Sequence, residues 1–316
     1  MTRLEARPAV LGGSPDPPTQ RDRRATRSSG YDTGMDGSPL APPLNASATS
    51  SLFLEHFRIT RAAPPEQLLP DLARAFSRIP YENLTKIIKA AQEGSPERAR
   101  RGPHEVIQDH IDSGAGGTCF ALTAALLHIL RGLGWRCEPI LADRCYGADT
   151  HCALIVWING VAHLLDPGYL IVHPVSLAGD GETRLKTSFN EVILTPRERG
   201  EKVDLITVQH GVHMHRLTFK TTPADAGEFL KAWDASFGWD MMRYPLLTTV
   251  AGASQLYLQG NRFQVRGNDS VTRNEIDPAQ LVSLIAREFG INAALVAKAV
   301  DLLKRKGEMR VEAGTS

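Results

Sequence analysis

The sequence predicts an α+β protein in which helices come first, strands follow, and a mixed α/β segment ends the chain. Three observations predict it. As far as Gly132, apolar residues recur at helical spacing, as in Leu68, Leu69, Leu72 and Phe76. From Cys137 they gather into short strand-like runs, "CEPILADR", "HCALIVWI" and "VAHLLD". Beyond residue 210 the two patterns alternate.

The chain has 316 residues, enough for one large domain or two to three smaller ones with ample core. Its 36 basic residues almost balance 35 acidic ones, so no global field draws in nucleic acid or an acidic membrane. Neither partner is expected. No run approaches the roughly 20 apolar residues of a membrane span; the longest, "FALTAALLHIL", is interrupted by Thr123 and His128. "AVLGG" is too short for the apolar core of a secretory signal, and a cytoplasmic protein is expected. Cys119, Cys137, Cys145 and Cys152 fall in one segment without C-x-x-C pairs, so reduced thiols and no metal site are expected. Cys137, Cys145 and Cys152 read as core or surface thiols.

Residues 1–49 are rich in Pro, Gly, Ser, Thr and Arg, and few apolar side chains offset the entropy of ordering them. A disordered arm is expected, with Met35 as an alternative start. Folded sequence begins near "SLFLEHFRIT". "PPEQLLPDLARAFSRIP" reads as a helix interrupted by Pro80, and "ENLTKIIKAAQ" and "PHEVIQDHI" as two short helices. Between these, "EGSPERARRG" reads as a loop. Its Arg98, Arg100 and Arg101 are expected to form a solvated face, with contact to a phosphate-bearing ligand as the alternative. A buried helix starts at Thr118 as N-cap, continues through Phe120, Ala124, Leu127 and Arg131, and stops at Gly132 and Gly134.

Further strands are expected in "SFNEVILTP", "KVDLITV" and "HMHRLTFK". In "TPADAGEFLKAWDASF", Thr222 is the expected cap, with Pro223 at N1 and Asp225 at N3. "SQLYLQGNRFQVRG" reads as a hairpin turning at Gly260–Asn261. "DPAQLVSLIAREFG" reads as a helix with Asp277 in front, Gln280 at N3 and Gly290 behind, and a final helix follows.

Chemistry concentrates in two stretches. "GAGGTCFALT" places Cys119 after a glycine pair and at a helix start, where free N–H groups and the helix dipole favour an anion. Gly116 and Gly117 are expected to leave the thiol unshielded for a bulky substrate. In "THCALIVWINGVAHLLDPGY", Asn159–Gly160 predicts a two-residue hairpin loop. Ile158 then faces Val161, and His151 and Asp166 become diagonal neighbours on one face. His163 falls opposite Val156 and looks the other way. A thiol with an Asp-oriented His is the arrangement a cysteine nucleophile needs. The residues alone predict that Cys119 reacts; the competing reading is a buried cysteine beside an unrelated His–Asp pair.

At these residues the chain resembles the arylamine N-acetyltransferases. "FLEHFRI" followed by "RIPYENLTK" is similar to that family's opening, "GGTCF" to its Gly-Gly-x-Cys-aromatic motif, and "THCALIVWINGVAHLLDPGY" to its Thr-His strand and D-x-G-[FY] motif. The resemblance covers roughly residue 51 onward. It implies a helical domain, a β-barrel domain and an α/β lid, which after the compositional arm at 1–49 fall as helices carrying the nucleophile at 50–134, a barrel carrying His and Asp at 135–209, and the lid at 210–316. It implies Cys119 as nucleophile, His151 as base, Asp166 as orienting carboxylate, and Tyr81 and Phe120 as substrate contacts. The implied reaction is ping-pong acetyl transfer from acetyl-CoA, a cosubstrate with no resident cofactor, to an arylamine, hydrazine or related amine. Amide synthases of the same fold with a non-CoA donor, and transglutaminase-like thiol hydrolases, are the alternative readings; a silent binding module is a third. The chain departs from the family at Ala115, where an Arg is usual, and at Ala121 and Thr123, where Glu and Asn are usual. That Arg is associated in the family with the Glu equivalent to Glu82, so Glu82 is expected to find another partner, a solvent path or a raised pKa here.

Overall fold

The computed structural model describes residues 39–41, 48–169, 171–209, 211–267 and 270–305. Most of the expected arm lies outside them. The described part of it is ordered into the core: Leu40 is buried and its carbonyl accepts from Arg131 Nη1 at 3.0 Å.

The first part of the chain is helical because its apolar residues repeat at a helical period. Helix α1 (Ala48–Phe57) buries Phe53, and α2 (Pro65–Phe76) buries Leu68, Leu69, Leu72 and Phe76. A two-residue strand β1 (Tyr81–Glu82) follows, then α3 (Leu84–Glu93), a single turn α4 (Pro96–Ala99) and α5 (Pro103–Ser113). The expected loop between α3 and α5 thus holds one helical turn. Helix α6 (Cys119–Gly132) runs through the middle of this group, buried at almost every position from Cys119 to Leu130. Thr118 occupies its N-cap with extended backbone, but its hydroxyl makes no capping bond.

Strands β2 (Cys137–Arg144), β3 (Gly147–Ile158), β4 (Val161–Asp166), β5 (Ile171–Ser176), β6 (Thr183–Lys186), β7 (Glu191–Arg197), β8 (Lys202–Gln209) and β9 (Val212–Lys220) form one sheet. The order is β5-β4-β3-β2-β9-β8-β7-β6, and the sheet curls into an open half-barrel. β9 carries it past residue 209. The β3–β4 register pairs Ile158 with Val161 and Val156 with His163, as the two-residue loop requires.

Helix α7 (Ala226–Ala235) starts later than expected. Asp225, not Thr222, is its cap: Asp225 Oδ1 accepts from Glu228 N–H at 2.9 Å while Glu228 returns a bond to Asp225 N–H. Strands β10 (Leu246–Ala251), β11 (Ser254–Gln259), β12 (Arg262–Arg266) and β13 (Val271–Glu275) join β1 in a second sheet, order β1-β10-β11-β12-β13. The β11–β12 hairpin turns at Gly260–Asn261 as expected. Helices α8 (Leu281–Phe289) and α9 (Ala293–Arg305) follow. Asp277 caps the turn before α8, accepting from Ala279 N–H, and Gly290 ends that helix at φ +69°. Among the described residues, no helix is long and apolar enough to cross a membrane.

Candidate active site

Cys119 is the first residue of α6, His151 lies on β3 and Asp166 ends β4. The hairpin register puts His151 and Asp166 on one face, and the structure joins them: His151 Nε2 and Asp166 Oδ2 are 2.7 Å apart, both residues wholly buried. Asp166 Oδ1 accepts from Tyr169 N–H at 2.9 Å, which fixes the carboxylate. Arg144 Nη2 lies 3.0 Å from His151 Nδ1. An arginine only donates, so Nδ1 accepts, the ring proton is on Nε2, and it points to Asp166. His163 pairs across from Val156 and contacts the Val161 carbonyl instead.

The Cys119 thiol is 3% exposed, within hydrogen-bonding reach of Cys152 and His151. The Cys152 thiol, burial and His151 act on it in that order of size: the first and last favour the thiolate, burial opposes it, and Arg144 adds to the thiolate side. Cys119 is thereby held well below the usual thiol range. The free N–H groups of the first turn of α6, left unbonded by Thr118, act in the same sense. At His151 burial opposes the charged imidazole, but the Asp166 carboxylate leads the opposing contributions and the ring sits above its ordinary value.

Cys152 is therefore more than the core thiol its strand position suggested. Its Sγ lies 3.4 Å from Thr123 Oγ1, and Thr123 lies one helical turn beyond Cys119. Burial, then the bond to Cys119, pushes Cys152 well up, so it stays a thiol and can donate. Cys152→Ala is expected to raise the midpoint of the pH profile for Cys119 alkylation. Iodoacetamide rates against pH, read at Cys119 by peptide mapping because Cys145 is exposed, check this. An unmoved midpoint would reduce Cys152 to packing.

The glycines have a different role from the one expected. A Cβ on Gly116 would lie 1.7 Å from the Pro80 carbonyl oxygen, and one on Gly117 would lie 3.1 Å from Ala121 Cβ. They let the nucleophile loop press against β1, where Glu82 N–H donates to the Gly117 carbonyl at 3.0 Å. The glycine that borders the thiol is Gly168, whose Cβ would lie 3.0 Å from both Cys119 Cβ and His151 Cε1.

Glu82 has its partner. Arg101, 3% exposed, lies 3.8 Å from Glu82 Oε1, donates to Asp109 Oδ2 at 2.7 Å and to Thr85 Oγ1 at 2.8 Å, and bonds the Gly116 carbonyl. Arg100 pairs with Asp234, its Nε 2.7 Å from Oδ1. These two arginines thus tie the helices to the nucleophile loop and to α7 rather than forming a solvated face. Lys86 is buried on α3 over the Phe237 ring at 4.3 Å, and burial lowers it to about 7.

A cavity of about 460 Å³ opens beside Gly168, lined among others by Tyr81, Arg144, Tyr169, Arg216 and Arg266. Tyr81 thus reaches the cavity. Phe120 does not: it is wholly buried and packs on Phe229 at 5.2 Å and on Trp233 and Trp239 at 6.1 Å. It is a core residue, corrected from the expected substrate contact. Among the described residues, no group of three or more His, Cys, Asp or Glu side chains is placed to hold a metal ion.

No curated protein matches the sequence. A family profile described as N-acetyltransferase matches residues 67–299. Among solved structures, the chain is similar to the arylamine N-acetyltransferase of Mycobacterium marinum, with 20% identity, TM-score 0.69, and coverage of 81% of this chain and 98% of that one. The same enzyme in complex with CoA aligns with 19% identity and TM-score 0.67, covering 81% and 98%. A Bacillus cereus arylamine N-acetyltransferase, described as having a unique Cys-His-Glu catalytic triad, aligns with 16% identity and TM-score 0.63, covering 78% and 99%. With the profile spanning most of its length, the chain belongs to the arylamine N-acetyltransferase family.

Proposed function

We propose that the protein moves an acetyl group from acetyl-CoA to an arylamine, hydrazine or related amine by a ping-pong route through acetyl-Cys119. The observation that carries this reading is the buried His151–Asp166 pair set against a thiol at a helix start, with His151 and Cys152 beside it lowering that thiol. The Cys119 thiolate adds to the thioester carbonyl, and N–H groups at the start of α6 are suited to receive the developing oxyanion. The carbon–sulfur bond to CoA breaks, and CoA leaves as a thiol with the proton that Cys119 gave to His151 Nδ1 when its thiolate formed. The amine nitrogen then attacks acetyl-Cys119, His151 takes its proton, and the Cys119 thiolate departs. Asp166 keeps the proton on Nε2 and stabilises the imidazolium while this happens. The CoA complex of the M. marinum enzyme supports acetyl-CoA as the donor.

Brief exposure of the full chain to acetyl-CoA is expected to add one acetyl group by intact mass, and an arylamine is expected to remove it. An adduct that does not form, with Cys119 still hyper-reactive to alkylation, moves the donor to a non-CoA acyl group or an amide.

A further inference from the structure

We infer that Arg144 binds a carboxylate at the nucleophile, so that one of the two reactants carries an anionic group a few bonds from its reacting atom. This rests on the acyl-transfer reading and names the substrate class for it.

Arg144 ends β2 just after a register shift between Ala142 and Arg144, which brings its side chain to the cavity. Its guanidinium is only partly satisfied. Nη1 donates to the Tyr146 hydroxyl at 2.8 Å and Nη2 to His151 Nδ1 at 3.0 Å, while Nε is buried with no acceptor among the described residues. A buried N–H without an acceptor is costly, and a charged one more so. Among the described residues, no aspartate or glutamate lines the cavity. Arg216 and Arg266 line it too, and their bonds run to Thr207, Gln264 and Gln255 rather than to carboxylates. Three guanidinium groups line the cleft with the Asp166 carboxylate already engaged by His151 and Tyr169 N–H, which leaves a field that favours an anion.

Geometry selects the anion. Nε and Nη2 form one edge of the guanidinium fork, and a carboxylate takes both together. Doing so gives Nε its acceptor and draws Nη2 off His151 Nδ1, which frees that nitrogen for the thiol. The phosphates of CoA are separated from its sulfur by the whole pantetheine arm, so a donor whose carbonyl meets Cys119 does not bring them to Arg144. The carboxylate therefore belongs to the acyl group, as in a dicarboxylic acid half-thioester, or to the amine acceptor.

Alkylation tests the site without any acyl transfer. In both reagents the thiolate displaces iodide, but iodoacetate carries a carboxylate and iodoacetamide does not. Relative to free cysteine, the iodoacetate-to-iodoacetamide rate ratio at Cys119 is expected to be higher by about tenfold or more, and Arg144→Gln should remove most of that excess. The ratio makes each variant its own reference, so a general loss of reactivity does not imitate the result. Two further arms assign the source. Faster acylation of Cys119 by malonyl- or succinyl-CoA than by acetyl-CoA, lost in Arg144→Gln, places the carboxylate on the acyl group. Faster deacetylation by 4-aminobenzoate than by 4-aminobenzamide, lost in the same variant, places it on the acceptor. Acetylation by acetyl-CoA with no carboxylate preference in any arm, or a preference that survives Arg144→Gln, overturns the inference and leaves acetyl transfer standing. A preference in alkylation with no acylation by any CoA thioester overturns the CoA donor and leaves the carboxylate site.

Discussion

Asp166→Asn is expected to slow acetylation of Cys119 by about 10²–10⁴-fold, and Cys119→Ala to abolish it. Asp166 is wholly buried and holds two positions at once, His151 Nε2 through Oδ2 and Tyr169 N–H through Oδ1. Asparagine can keep the Tyr169 bond and nearly the same shape. Its amide then turns an N–H towards Nε2, which favours the ring proton on Nδ1, the nitrogen that must take a proton. The imidazolium also loses its counter-charge, and Asp166 leads the contributions that raise His151. The folded-state value of His151 falls with that loss, so the His–thiolate pair is weakened most at mildly acidic pH. Timed intact-mass measurement of acetyl-Cys119 gives the rate, and iodoacetamide reactivity against pH should lose its acidic limb. A variant within about tenfold of the wild-type rate would remove Asp166 from the catalytic group.

Arg101→Met is expected to destabilise the protein by about 3–5 kcal/mol. Methionine has much of the stem of arginine, so the change is chiefly the loss of a buried charge that serves Glu82, Asp109, Thr85 and the Gly116 carbonyl. Glu82 is wholly buried; its remaining acceptor bonds come from Thr85 and from Gly116 N–H at 3.3 Å. Those neutral donors do not balance its charge. Glu82→Gln in the Arg101→Met background should recover part of the loss, because the uncompensated charge goes with it. Arg101→Lys should fall between, since an ammonium cannot hold several divergent acceptors in one plane. Urea denaturation midpoints check the series. A loss for Arg101→Met of no more than about 1 kcal/mol, as for a surface pair, would show that the guanidinium does not hold the loop.

The dyad was legible because one short-range rule decided it. Asn159–Gly160 set a two-residue loop, the loop set parity, and parity placed His151 with Asp166 and His163 elsewhere. Helices were legible from their period. What was hidden depended on packing between distant segments. The arginine run reads as a polar surface in sequence, yet α3, α5 and the nucleophile loop converge around Arg101. Cys152 was rightly placed off the face of His151, but β3 is buried on both faces and its other side meets α6. Phe120 is next to Cys119 in sequence and about 100° away around the helix axis, turned towards α7. Strand β5 escaped notice because it contains Pro174, which an edge strand tolerates. Strand β6, "TRLK", has too little apolar pattern to stand out.

Strand β1 also has a consequence in time. Tyr81 pairs with Thr248 and Glu82 with Leu247, partners drawn from opposite ends of the folded sequence. Loop entropy grows slowly with length, so at equilibrium this distant pairing costs little more than a near one. During folding it is slow, because everything between must first be brought close. The β3–β4 hairpin that joins His151 to Asp166 is local and can form early. The nucleophile loop leans on β1 through the Glu82–Gly117 bond, so the segment that aims the thiol is tied to a strand held by the most distant pairing in its sheet, while the base is held by a local hairpin.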